Sequence, residues 1–162
     1  VKNPEQLLLL QDCYKDKLAL MVRHVDGAKV VADYEFNNTY QYIIAREEMH
    51  LMWLRDAIRD LGGEAPTAIT PLSLPTGKGL ALQTDVIADD INKAQAFVDK
   101  WKPRQELMTN ARHRGMLKVI LGEGLEHKRF FEQAKAGRED LLGRRMAGAS
   151  TGDGVLPVRW VE

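Results

Sequence analysis

The chain has little of what several function classes require. Its 162 residues include one cysteine, Cys13, which excludes a disulfide framework, a cysteine-rich zinc site and a Cys-x-x-Cys iron centre. A solitary thiol fits a reducing compartment, so the expected location is the cytoplasm. There is no charge excess of either sign, with Lys+Arg 23 against Asp+Glu 23. Nothing electrostatic therefore points to a nucleic-acid partner. No apolar run approaches the roughly 20 residues of a membrane span, so no membrane association is expected. Leu7 to Leu10 is a short run that follows Glu5, unlike the core of a signal peptide. Gly-x-Gly-x-x-Gly and phosphate-loop patterns are absent. The length suits one domain with a substantial core.

What is present is helical periodicity. Residues 4–26 read as a first helix, opened by Pro4 and closed near Asp26-Gly27, with Leu7, Leu10, Tyr14, Leu18, Met21 and Val25 on one face. On this drawing Asp12, Asp16 and Arg23 lie opposite, leaving Gln11 and Tyr14 as the inward polar groups. A longer second helix runs from about Ala28 or Asp33 to Leu61, ending at Gly62-Gly63. Residues 84–101 and 104–136 read as the third and fourth helices, with Pro103 in the turn between them. The inward face of the fourth is read as Met116, Val119, Ile120, Phe130 and Ala134. Between the second and third, residues 62–82 carry Pro66, Pro71, Pro75, Gly77 and Gly79 without helical period. Such a long connection serves as a crossover along a helix bundle. The bundle is expected over residues 1–137, followed by a glycine-rich tail or strap over 138–162.

Ionisable residues interrupt the apolar stripes. In the second helix Glu47 falls amid Phe36, Tyr40, Ile43, Leu51, Leu54 and Ile58, with His50 one turn on. A carboxylate on a core face is costly unless something pairs with it, and Glu-x-x-His on an inner face lets both side chains reach one metal. In the fourth helix Glu123 and His127 lie within the stripe and Glu126 at its edge. In the third, Asp90 sits between Val86 and Phe97, while Asp85, Asp89 and Asp99 point away. Carboxylates and imidazoles together suit iron, manganese or zinc. The structural alternative pairs these charges among themselves, with Arg112 as counter-ion of Glu123. His24 and His113 are expected at the surface.

The segment Glu123-Gly-Leu-Glu-His127-Lys-Arg-Phe-Phe-Glu-Gln-Ala is similar to the last helix of rubrerythrins. Arg46-Glu47-Glu48-Met49-His50, followed by Leu61-Gly62-Gly63, resembles their second helix and its end. Over residues 4 to about 137 the chain thus resembles the ferritin-like superfamily, nearest to rubrerythrin-type diiron-carboxylate bundles. The fold implied is all-α, a ferritin-like four-helix bundle with a long crossover between the second and third helices. The resemblance implies metal ligation by Glu47, His50, Asp90, Glu123, Glu126 and His127. Asp90 lies 33 residues before Glu123, the separation of the family's helix pair, whereas 33 before Glu47 stands Tyr14 in place of a carboxylate. Tyr14 is assigned a proton- or electron-donating role. Gly124 stands three residues before His127, where the family has glutamate.

Two functions follow. One is an iron protein with one or two ions, a ferroxidase- or peroxidase-like oxidoreductase acting on iron, dioxygen or peroxide with an unidentified electron donor. The other is a non-enzymatic bundle with a degenerate site, serving as a structural or interaction module. A homodimer is expected for both, through an apolar edge formed by Met49, Met52 and Trp53.

Overall fold

The computed structural model describes residues 2–138 and 141–142. Four helices follow one another: α1 (Pro4–Val30), α2 (Tyr34–Asp60), α3 (Gly79–Glu106) and α4 (Ala111–Lys135). Three starts carry side-chain caps that satisfy otherwise orphaned amides. The Asn3 side chain accepts from the Gln6 amide at 3.3 Å and that of Asp33 from the Phe36 amide at 2.8 Å. The Asn110 side chain accepts from the amides of Arg112 and His113. At the end of α2, Gly62 takes a φ of 80°, and the Gly63 amide reaches back to the Ile58 carbonyl at 3.1 Å. Only a residue without a Cβ adopts that conformation freely.

The expected helix count, order and crossover are observed, and several boundaries shift. α1 runs on through Gly27 to Val30, and α3 begins earlier and ends later than expected. Pro103 lies inside the last turns of α3, forfeiting one ladder hydrogen bond, and is not the start of α4. Apart from residues 138, 141 and 142, the expected tail lies outside the described residues.

Short connections make α1/α2 and α3/α4 antiparallel hairpins. The crossover, residues 61–78, then lets α3 start at the end of the bundle where α2 began. α1 runs antiparallel to α3: Gln6 bonds the Leu107 carbonyl, Asp16 accepts from the Trp101 indole, and Arg23 reaches Asp89. Gln6 also accepts from the Thr109 amide at 3.1 Å, so one buried amide group clamps the α3–α4 turn.

The core divides into two apolar layers. One contains Leu10, Leu54, Ile58, Trp101, Leu117 and Ile120, and the other Phe36, Tyr40, Ile43, Val86, Phe130 and Phe131. Cys13 is fully buried in the first, where burial pushes its thiol up to about 12. Between the layers lies a band of charge: Lys17, Arg23, His24, Glu47, His50, Asp90 and His127 are all buried.

Candidate functional site

The residues of this band occupy the bundle seam. Buried positions in α2 step through Phe36, Tyr40, Ile43, Glu47, His50 and Leu54, and in α4 through His113, Leu117, Ile120, Gly124, His127 and Phe131. In α1 they step through Leu10, Cys13, Lys17, Leu20, His24 and Gly27. Alternating steps of three and four average 3.5 residues, the repeat that keeps one seam facing its neighbours in supercoiled helices. A face drawn at 3.6 residues per turn drifts off this seam. Val119 of α4, expected inside, lies beside this seam and is 50% exposed, while His24 and His113, expected outside, lie on it and are 3% and 4% exposed. Arg23, placed on the outer face by the same drawing, is 1% exposed.

Glu47 is the centre of the band and is fully buried. Its Oε1 lies 2.5 Å from His24 Nδ1, and its Oε2 lies 3.6 Å from the Lys17 ammonium. Burial alone would raise this carboxyl. The charges of His24 and Lys17 outweigh it and hold Glu47 at about 2. An ionised carboxylate only accepts, so His24 Nδ1 is the donor. Burial would likewise lower His24, yet the charge and hydrogen bond of Glu47, with Asp90 behind them, carry it above its ordinary value. The far nitrogen of His24 stands 3.6 Å from Asp90, so one imidazole bridges the two buried carboxylates.

Asp90 accepts a short hydrogen bond from the Tyr40 hydroxyl and pairs with Arg23 Nη1 at 3.4 Å. Burial raises its carboxyl, against the opposing charges of His24 and Arg23. Arg23 also donates to Asp89 at 2.8 Å and to the carbonyls of Ser73 and Val86. Asp89 therefore turns toward Arg23 and Lys93, where the sequence placed it facing away. Gly27 makes room for this arrangement: a Cβ there would stand 2.8 Å from Arg23 Nη1 and 3.1 Å from the Tyr40 hydroxyl.

One turn on from Glu47, His50 of α2 meets His127 and Glu123 of α4 in a second group. Glu123 lies 3.4 Å from His50 Nε2 and is gripped by Arg46 at 2.6 and 3.0 Å. Burial would raise it, but the nearby His50 imidazole and the fork of Arg46 bring it to about 2. Its counter-ion is thus Arg46, not Arg112, whose side chain is exposed and lines a surface cleft with His113. Burial lowers His50, and lowers His127 to about 3. The two rings stack with centroids 6.3 Å apart, and the Nε2 atoms of both make no hydrogen bond. Glu126 is half-buried beside Arg46, whose charge it supports. Tyr14 is buried in the first apolar layer, and its hydroxyl accepts from Arg55 at 3.3 Å.

The structure thus brings Glu47, His50, Glu123 and His127 to the middle of the bundle and joins Asp90 to them through His24. Tyr14 packs in the apolar layer beyond, and Glu126 lies at the edge. Sequence reasoning missed Lys17, Arg23, His24 and Arg46. The seven-residue interval from Lys17 to His24, matching that from Glu47 to Leu54, was the available signal.

The donor chemistry does not suit an inner metal ion as arranged. Glu47 and Asp90 already face Lys17, Arg23 and His24, and Glu123 is held in a fork by Arg46. A divalent cation there would stand against a buried ammonium. Among the described residues, no group of three or more His, Cys, Asp or Glu side chains is placed to hold a metal. No helix among them is long and apolar enough to cross a membrane.

No protein-family model and no curated protein sequence matches the chain. Solved structures do. The bacterioferritin BfrA of Mycobacterium tuberculosis is 18% identical with a TM-score of 0.59, covering 83% of this chain and 86% of that one. A mycobacterial bacterioferritin is 19% identical with a TM-score of 0.58, covering 88% and 92%. A dodecameric thioferritin from Bacteroides fragilis is 16% identical with a TM-score of 0.58, covering 82% and 85%. These likenesses show a ferritin-like four-helix bundle, and at such identities they concern the fold alone.

Proposed function

We propose, with the ferritin-like fold as premise, that this chain is a non-enzymatic member of that architecture, a structural or interaction module whose central site is filled by its own ion pairs. The observation that carries the reading is Lys17: an ammonium 1% exposed, 3.6 Å from a fully buried glutamate. Around it, cations contributed by α1 neutralise the carboxylates of α2 and α3, which removes the negative charge that draws a divalent ion into a bundle core. The module self-associates through the outer edge of α2, where Met52 is 43% exposed beside half-buried Met49 and Trp53.

A second reading rests on the buried nitrogens of His50 and His127 and on Glu47 Oε2, which make no hydrogen bond. Under it the rubrerythrin-type motifs are functional, and Glu47, His50, Asp90, Glu123, Glu126 and His127 hold iron for an oxidoreductase. Tyr14 would then be the proton or electron donor. This requires Lys17 and Arg46 to leave their partners.

Calorimetric titration of the purified, chelator-treated chain with Fe(II), Mn(II) and Zn(II) separates the two. The expected result is no saturable binding and a melting temperature that none of the metals changes. Stoichiometric uptake that disappears in both Glu47→Ala and His127→Ala would overturn the first reading in favour of the second. Light scattering after size exclusion is expected to give a dimer that Met52→Glu dissociates.

A further inference from the structure

A cleft on the opposite side of α1 from α2 belongs to none of this. It opens between α1, α3 and the crossover, with a volume of about 570 Å³, within the roughly 300–1,000 Å³ of small-molecule sites. Its floor is made by Ala19, Leu20 and Phe97, all buried side chains of the core. Ile69 and Leu72 of the crossover form the facing wall, and Leu72 is left 37% exposed. An apolar body laid against these residues removes hydrocarbon from water on both sides.

The rim has a different character. Lys15 from α1 and Lys93 and Lys100 from α3 surround the mouth. Lys100 pairs with Asp16 at 2.6 Å and Lys93 with Asp89 at 2.7 Å. Neither aspartate is free to neutralise a further cation. The Trp101 indole also donates to Asp16, and Arg23 also pairs with Asp89. Lys15 makes no ion pair among the described residues. Three ammonium groups against two carboxylates leave one positive charge unmatched, the complement of a single anionic head.

We propose that this cleft binds an amphipathic monocarboxylate, a medium-chain fatty acid or a compound of the same character. The hydrocarbon lies over Leu20 and Phe97 beneath the crossover, and the carboxylate meets the lysine rim at Lys15. Phe97 takes the Lys17 ammonium at 4.8 Å from its ring centroid, so the ligand would rest one side chain away from the buried ion pairs. The proposal does not depend on whether those pairs or a metal occupy the bundle centre.

Isothermal titration of the full chain with sodium decanoate, below its micellar range, tests this. One saturable site per chain is expected, with decanol bound at least about tenfold more weakly and acetate not at all, since either half of the recognition is then missing. Lys15→Glu reverses the unmatched charge at an exposed position and is expected to weaken decanoate about tenfold or more. Ala96→Trp, at an exposed position on the cleft wall, fills the space without touching the core and is expected to abolish binding with an unchanged circular dichroism spectrum. Backbone amide shifts in the wild type are expected to concentrate at Leu20, Ile69 and Phe97, which locates the site even if a variant folds poorly. Absence of saturable decanoate binding, equal affinity for decanol, or shifts centred elsewhere would each overturn the proposal.

Discussion

Replacing Glu47 by Gln tests the central ion pairs most directly. The substitution keeps the shape and removes one negative charge, leaving Lys17 with no carboxylate partner at 1% exposure. His24 keeps only Asp90, at 3.6 Å. Removing one side of a buried ion pair costs about 3–5 kcal/mol, because the remaining charge stays desolvated. In a chain of this size each kcal/mol moves the melting temperature by about 2–4 °C, so the midpoint should fall on the order of 6–20 °C. Adding Lys17→Met removes the stranded ammonium and should recover much of that loss. The double-mutant cycle is expected to give a coupling of about 2 kcal/mol or more. The assay is urea unfolding followed by far-ultraviolet circular dichroism on chelator-treated protein, with the slope against urea unchanged between variants. A Glu47→Gln variant within about 0.5 kcal/mol of wild type, or two substitutions whose effects simply add, would refute the pairing.

Three further outcomes follow from the same geometry. His127→Leu exchanges an imidazole with an unbonded buried nitrogen for hydrocarbon, and should be neutral or stabilising by about 1 kcal/mol in thermal unfolding; a loss above about 2 kcal/mol would mean the ring has a role beyond packing. Tyr40→Phe strands an oxygen of Asp90 and should cost about 1–3 kcal/mol by the same measurement, with recovery on adding Asp90→Asn counted as agreement. Stability should fall as pH drops below neutral: His127, ordinarily 6.5 and held at about 3, takes up its proton in the unfolded chain first, and Glu47, at about 2, adds its loss below its ordinary 4.5. Each such group contributes a slope of about 1.4 kcal/mol per pH unit within its own window. His24, raised by its carboxylates, acts in the opposite sense, since its contribution is present in acid and lost as pH rises through its raised value. The denaturant midpoint against pH should therefore peak near neutrality, and in His127→Leu the limb between about 6.5 and 4.5 should become shallower, with the contribution of buried His50 remaining.

The helices and their order were legible because hydrophobic spacing, caps and the Gly62-Gly63 stop are local signals. The inward placement of Glu47, His50, Asp90 and His127 was legible for the same reason. What surrounds them was not, and the cause is a small angular error that accumulates. A periodicity of 3.6 carries the first helix from Tyr14 to Leu18, Met21 and Val25, whereas the supercoiled seam passes through Lys17, Leu20 and His24. Over a helix of 27 residues this difference turns the inner face by most of a side chain. It hid Lys17 and His24 of α1, and with them the reason that a buried carboxylate in α2 is tolerated; Arg23 flanks that seam and meets its carboxylates only through the approach of α3. Arg46 escaped for another reason: it flanks the seam, and only the approach of α4 shows that its fork meets Glu123 and not solvent.

The burial of Cys13 has a kinetic consequence. A thiol held at about 12, with no exposed surface in the first apolar layer, has almost no thiolate to offer an oxidant or a disulfide reagent while the bundle is closed. As the chain's one cysteine, it labels only when the helices separate. Its reaction rate with an aromatic disulfide then reads the frequency of opening. The protein carries its own stopwatch, set in the half of the core that the central charges hold shut.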